Sequence, residues 1–225
     1  DRTLLIHQKM TGHMLIGSWR FEVRSWKSVR PGPLRNDPQN RFIHLMFNLS
    51  GGSQLALSDM RKFAKVLIWP TDKLNKLEDI KDLGPDPFDK NFTLGKFSQI
   101  IRARRGKIKT ILMDQSIIAG IGNIYSDEIL WKADVHPERK VSEITDTEIK
   151  LIYKAIKEIL ARGIDFGGDS MSDYRNIHGL RGEFQLHHEA YRRTGEKCRK
   201  KNCKGVITRK IVNGRSAHFC SVHQK

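Results

Sequence analysis

Three cysteines and a histidine crowd into the end of the chain, and together they constrain its fold more than any other feature. Cys198 and Cys203 enclose Arg-Lys-Lys-Asn, and Ser-Val separates Cys220 from His223. Two close ligand pairs joined by a longer segment suit one tetrahedral zinc ion, because thiolate sulfur and imidazole nitrogen are donors that zinc prefers. The segment between the pairs then supplies the two strands of a hairpin. Three cysteines cannot pair off as disulfides, and free thiols would not explain why all three lie beyond residue 197. Four fixed ligands leave no open position for a substrate, so Cys198, Cys203, Cys220 and His223 read as a structural zinc site.

The segment that carries this site is strongly basic. Tyr191 to Lys225 holds eleven Lys or Arg against one acid, Glu196. The whole chain of 225 residues has 41 basic and 25 acidic residues, a net charge of +16 and a pI near 9.9. Such a field favours polyanions, of which nucleic acid is the commonest; a merely soluble basic surface is the plainer reading. No apolar run approaches the roughly 20 residues that span a bilayer, and no signal peptide is visible. Reduced thiols and zinc fit an intracellular protein, cytoplasmic or at the nucleoid.

Hydrophobic periodicity changes along the chain. Arg2–His7, His13–Gly17, Phe42–Phe47, Gln54–Leu57 and Lys65–Trp69 are short apolar runs punctuated by Gly, Pro, Asn and Asp, as expected of strands in an antiparallel sandwich. Gly51-Gly52 marks a hairpin turn, and Val29–Asn40, with three prolines, a loop. Leu83-Gly-Pro-Asp-Pro-Phe88 can continue neither strand nor helix, and beyond it the period becomes helical. Lys107–Asp114 reads as a helix. Thr145-Asp-Thr-Glu148 is a capping box, with Ile149, Ile152, Ile156 and Ile159 on one face of the following helix and Gly163 as its C-terminal stop. The fold expected is α+β and multi-domain: a partial sandwich over 1–82, a helical domain over 83–187 and a β-hairpin zinc finger over 188–225.

Ala119-Gly-Ile-Gly-Asn-Ile-Tyr125 runs straight into Ser126–Trp131. Two glycines bring the backbone close to whatever sits at the start of that helix, where free amides and the positive dipole end suit a phosphate. Asn123 can add a donor. A tight turn between two helices explains the glycines equally well.

Taken together, these elements resemble one family. Ala119–Glu128 resembles the helix-two-turn-helix signature of the formamidopyrimidine-DNA glycosylase and endonuclease VIII family of base-excision repair enzymes. His7-Gln-Lys-Met-Thr-Gly12 is similar to its His-x-x-Met-[Ser/Thr]-Gly element, and Asp59-Met-Arg-Lys-Phe63 to its Asp-x-Arg-x-Phe loop. Leu83–Pro87 is similar to its linker, and Tyr191–Cys198 leads into the finger in the family's manner. The formamidopyrimidine branch is the closer likeness.

The resemblance implies roles. An enzyme acting on a damaged base takes it out of the stack, and family members fill the gap with a Met, Arg, Phe wedge, matched here by Met10, Arg61 and Phe63. Residues alone would equally allow Met10 and Phe63 to be sandwich core. Arg105 and Lys109 match basic residues that approach phosphates and lesion, Asn123 the phosphate-gripping asparagine, and Arg215 the finger-tip arginine. That arginine is implicated in the last elimination step, although a guanidinium suits a clamp better than an acid. Ser170–Gly182 takes the place of the lesion-capping loop, with residues that differ from the family's. The finger departs from the family pattern by its Cys-x4-Cys pair and its final His223, changes that zinc tolerates.

The resemblance also implies an N-terminal proline nucleophile, a glutamate after it and a lysine on a later hairpin. None has a counterpart in residues 1–225, and the primary amine of Asp1 is no substitute. This chain alone is therefore expected to be inactive, as a fragment of a longer enzyme. The missing sandwich half should leave Leu4, Ile6, Phe42, Leu45 and Leu67 short of partners. The expectation is a monomeric glycosylase with abasic-site lyase activity, removing oxidised purines (formamidopyrimidine, 8-oxoguanine) from damaged double-stranded DNA. The alternative is a non-catalytic damaged-DNA binder on the same frame.

Overall fold

The computed structural model describes residues 1–170 and 174–225. The chain divides into two compact units, residues 1–77 with 165–186, and residues 78–164 with 187–225.

In the first unit, β1 (Arg2–His7) pairs antiparallel with β7 (Lys65–Pro70), and a three-stranded antiparallel sheet places β6 (Gln54–Asp59) between β2 (Gly12–Gly17) and β5 (Ile43–Asn48). Leu15, Trp19, Leu34, Ile43 and Ala56 form the buried core, with Trp26 and Met46 against it. Trp19 satisfies its indole N–H on Asn40 Oδ1 at 2.8 Å, and Asn40 Nδ2 donates to the Leu34 carbonyl at 2.7 Å. A buried aromatic donor needs such a partner. Neither β1 nor β7 has a fully buried residue. Of the residues expected to lack partners, Leu4 is exposed, while Ile6, Phe42, Leu45 and Leu67 are half-buried.

Two details depart from the sequence reading. Phe42 closes a 3-10 turn, Pro38–Phe42, capped by Asp37, rather than opening β5. A further hairpin, β3 (Trp19–Glu22) and β4 (Ser25–Ser28), turns through Val23 and Arg24 at φ 43° and 65°. Neither residue is one that ordinarily announces left-handed backbone, so the periodicity gave no turn there.

Residues 165–186 pack with this unit, whereas the sequence reading assigned them to the helical domain. Ile16 N–H donates to the Ile177 carbonyl at 2.7 Å, and Arg175 Nε donates to Asp37 Oδ2 at 2.9 Å with both side chains buried. These bonds, not chain adjacency, decide where the segment belongs. The expected loop Ser170–Gly182 includes 171–173, which lie outside the described residues.

The second unit contains α1 (Glu78–Lys81), α2 (Leu94–Arg102), α3 (Ile108–Met113), α4 (Asn123–Lys132), α5 (Asp146–Asp165) and the hairpin of β8 (Ile207–Val212) with β9 (Arg215–Cys220). Phe97, Ile101, Ile108, Leu112, Ile118, Ile121, Ile129 and Leu130 are wholly buried. The proline-rich linker is laid against the turn before α4: Gly84 N–H donates to Gln115 O at 2.8 Å, and a Cβ at Gly84 would stand 2.4 Å from the Ile117 carbonyl carbon. The capping box forms reciprocally, with Thr145 N–H donating to Glu148 Oε2 at 2.8 Å and Glu148 N–H to Thr145 Oγ1 at 3.3 Å. Ile149, Ile152, Ile156 and Ile159 are all buried. The finger shares this unit with the helices rather than forming a unit of its own.

Gly163 does not stop α5, which continues to Asp165. Its role is steric: a Cβ there would meet Tyr125 Oη at 2.6 Å. Gly163→Ala is therefore expected to destabilise the protein by about 1–3 kcal/mol, the range for overpacking a filled interior. Thermal melting checks this, and an unchanged midpoint would mean that the ring moves aside freely.

Candidate nucleic-acid interface and metal site

In the first unit, Met10, Arg61 and Phe63 come together on the surface. Met10 is 76% and Phe63 54% exposed, which removes the reading of both as sandwich core. Arg61 Nη1 lies 3.4 Å from Met10 Sδ, and its guanidinium carbon stands 4.6 Å over the Phe63 ring. The organiser is Asp59, buried at the end of β6. Its Oδ1 accepts from Thr11 Oγ1 at 2.5 Å and Arg61 N–H at 3.2 Å, and its Oδ2 accepts from Ala64 N–H at 2.7 Å. Burial pushes the Asp59 carboxyl up, but these donors outweigh it and hold the group below its ordinary value. Gly12 follows Thr11 because a Cβ there would stand 2.4 Å from Gln8 O. One carboxylate thus joins the His7–Gly12 loop to the Asp59–Phe63 loop.

In the second unit, α4 starts at Asn123 with Gly122 as its N-cap, and no side chain caps it. Gly120 adopts φ 84°, the left-handed region that glycine enters without strain. Asn123 is half-buried and its Nδ2 donates to Ser216 Oγ at 3.3 Å. Arg215 opens β9 directly after the Asn213-Gly214 turn, at φ 46° and 77°, and is exposed. Arg105 is also exposed and lines a cavity of about 590 Å³ with Arg104, Lys107 and Lys140. Glu138 lies on that cavity too, and its hydrogen bonds to Lys107 and Lys210 pull its carboxyl down to about 2. Two of the nearby cations are thereby already paired.

Lys109 differs from its expected place. It is 1% exposed, and Nζ donates to Asp127 Oδ1 at 2.5 Å and Ser126 Oγ at 2.9 Å. Burial lowers its pKa, opposed by the neighbouring Asp127. An ammonium held this way is an internal strut, not a surface contact. Helical spacing carried the signal, since Lys109 stands three residues before the buried Leu112 on the same face of α3.

Two acids that the sequence reading passed over, Asp127 and Glu128, are almost wholly buried on α4. Glu128 accepts from the backbone N–H groups of Glu189, Ala190 and Tyr191 at 2.8, 2.9 and 2.8 Å, which fastens the approach to the finger onto the helix. Burial raises its pKa, against those three donors.

The four expected metal ligands converge. Cys203 Sγ and Cys220 Sγ are 3.6 Å apart, and His223 Nδ1 is 3.4 Å from Cys198 Sγ and 3.7 Å from Cys203 Sγ. A tetrahedron with zinc–sulfur bonds near 2.3 Å and zinc–nitrogen bonds near 2.0 Å has edges of about 3.5–3.8 Å; these three separations come close to that and all four donors lie within 4.8 Å of one another, so the group could hold such an ion. His223 Nε2 lies 3.2 Å from the Trp131 carbonyl, which places a proton on Nε2 and leaves Nδ1 free to ligate. Burial lowers the His223 pKa and so favours the neutral ring that a metal requires. Burial raises the Cys198 thiol; the Cys220 thiol, although burial also pushes it up, is held down by the N–H groups of Val222 and His223.

The formamidopyrimidine-DNA glycosylase H2TH domain model matches residues 83–175. The chain is similar to the formamidopyrimidine-DNA glycosylase of Pelotomaculum thermopropionicum, 37% identical over 99% of this chain and 74% of that protein. The Bacillus subtilis enzyme of the same name is 37% identical over 82% of this chain and 66% of its own length. Among solved structures, the Lactococcus lactis Fpg in complex with DNA containing an abasic site is similar at a TM-score of 0.82 and 32% identity, covering 100% of this chain and 76% of that one. The chain belongs to the formamidopyrimidine-DNA glycosylase family, one family of base-excision repair DNA glycosylases. Among the described residues no helix is long and apolar enough to cross a membrane.

Proposed function

We propose that this chain carries the damage-reading and DNA-gripping parts of a glycosylase with abasic-site lyase activity, directed at oxidised purines in duplex DNA. The observation that carries the reading is the exposed trio of Met10, Arg61 and Phe63, locked together through Asp59. Removing a base from the stack costs a few kcal/mol. A thioether and a ring fill the space left behind, and a guanidinium satisfies the hydrogen-bonding edge of the orphaned partner base. Support also comes from the relatives: Lactococcus lactis Fpg is known in complex with abasic-site DNA and with Fapy-dG DNA.

In this reading Arg215, Asn123 and Arg105 take phosphates, the first as a permanently charged, fork-shaped donor. Arg215 acts as a clamp rather than as a proton donor, because a guanidinium releases protons too reluctantly. Cys198, Cys203, Cys220 and His223 hold one zinc ion, whose part is to crosslink the finger and keep Arg215 on a rigid hairpin. Three functional parts follow: the wedge-bearing strands over 1–82, with which the lesion-loop segment 165–186 packs, the helix-two-turn-helix region that begins at 83, and the finger over 188–225.

Fluorescence anisotropy on an abasic-site duplex and its undamaged counterpart tests the wedge. Arg61→Ala is expected to weaken abasic-site binding about 10- to 100-fold, the loss of a charged hydrogen bond worth roughly 1.5–3 kcal/mol. Undamaged duplex, which offers no orphan base, should bind almost as before. Equal losses on the two duplexes would reduce Arg61 to a general cation and remove the wedge reading.

A further inference from the structure

A helix repeats along one face every four residues and a strand every two, and the two steps are nearly equal, about 6 Å and about 6.6 Å. Helix α4 and strand β9 use that match. Asn123 and Asp127, four apart on the helix, meet Ser216 and His218, two apart on the strand. Asn123 Nδ2 donates to Ser216 Oγ at 3.3 Å, while Asp127 Oδ2 accepts from His218 N–H at 2.9 Å and lies 3.0 Å from the ring Nδ1. The other Asp127 oxygen takes the Lys109 ammonium at 2.5 Å, and the side chains of Lys109, Asp127 and His218 are 1%, 0% and 5% exposed. One buried carboxylate therefore joins α3, α4 and the finger hairpin.

Strand alternation turns this join into a device for aiming Arg215. Ser216 and His218 face α4, so Arg215 lies on the opposite face of β9, where it is exposed. A slip of one residue would turn Arg215 towards the helix, and a slip of two would move it by about 6.6 Å. We propose that Asp127 is a positioning residue for DNA binding, fixing the register of β9 on α4 and hence the place of Arg215 relative to Asn123. This rests on the reading of Arg215 as a phosphate contact.

An asparagine at 127 keeps the shape but has a single acceptor oxygen, which the charged Lys109 ammonium claims, so its NH2 falls against the His218 N–H and the link to β9 breaks. The test compares D127N, R215A and the pair K109M/D127L with the wild type, measuring abasic-site duplex affinity against salt, together with zinc content and melting. The slope of log K against log salt counts neutralised phosphates at about 0.9 each, and a loss of folded fraction alone does not alter it. D127N should keep its zinc, lose about tenfold or more in affinity and lose about one phosphate from the slope. R215A should lose the same, and D127N/R215A no more than either alone. K109M/D127L, which removes both buried charges and leaves only the neutral His218 donors without an acceptor, should melt above K109M alone yet keep the reduced slope. A wild-type slope in D127N, or a slope that returns with stability in K109M/D127L, overturns the proposal. An R215A slope equal to wild type overturns the phosphate reading of Arg215, and this inference with it.

Discussion

Cys220→Ser is expected to release the metal and unfold the finger, the largest effect of any single change in this chain. Structural zinc sites of this kind contribute about 10–16 kcal/mol of apparent folding free energy at neutral pH. That is comparable to the whole stability of an ordinary domain, about 5–15 kcal/mol. Cys220 closes β9 and is wholly buried, and Gly205 is packed so tightly on it that a Cβ there would stand 2.4 Å from the sulfur. Losing the ligand therefore loosens the hairpin that carries Arg215, while the helical core, built on Phe97, Ile101, Leu112 and Ile129, keeps its own packing. Metal analysis should show zinc lost, NMR should show β8 and β9 resonances collapsing with helical ones retained, and DNA binding should fall with them. A metal-free finger with native resonances would remove the ligand assignment.

The second large effect is expected at Lys109. Lys109→Met keeps the volume of a long side chain but leaves the Asp127 carboxylate buried with no ammonium opposite it, beside only the His218 ring and backbone N–H. Removing one partner of a buried ion pair typically destabilises by about 3–5 kcal/mol. Because Lys109 is not at the surface, the variant should melt lower while its salt slope for DNA stays unchanged. Denaturant unfolding and a salt titration check the two halves. A stable variant whose slope fell by about 0.9 would restore Lys109 as a direct phosphate contact.

Much of this architecture is written locally and can be read from the residues. The runs Arg2–His7, Gln54–Leu57 and Lys65–Trp69 are strands because short apolar stretches between turn residues have few other uses. The capping box at Thr145 to Glu148 forms as spaced, and the four isoleucines after it are buried. The cluster of Cys198, Cys203, Cys220 and His223, which could hold a metal ion, was legible for the same reason, since short loops hold each pair together.

What escaped the reading depended on partners distant in sequence. Val23 and Arg24 turn a hairpin with left-handed backbone that their side chains do not advertise. Gly163 looked like a helix stop, but its partner is the Tyr125 ring on another helix. Lys109 was expected near the phosphates from the family resemblance alone; its helical spacing puts it on the buried face of α3, and Asp127, 18 residues further on, supplies the counter-charge that lets it stay there. Arg175 and Ile177 draw residues 165–186 onto the first unit through partners at Asp37 and Ile16.

The sequence by itself determined most strands of the first unit, the helix after the capping box, the loops that carry Met10, Arg61 and Phe63, and the clustering of Cys198, Cys203, Cys220 and His223, because each rests on a handful of neighbouring residues. Tertiary structure alone decided which charged groups face water and which act as struts. Burying a charge is favourable only beside its counter-charge, and for Lys109, Asp127 and His218 that pairing is made between α3, α4 and β9.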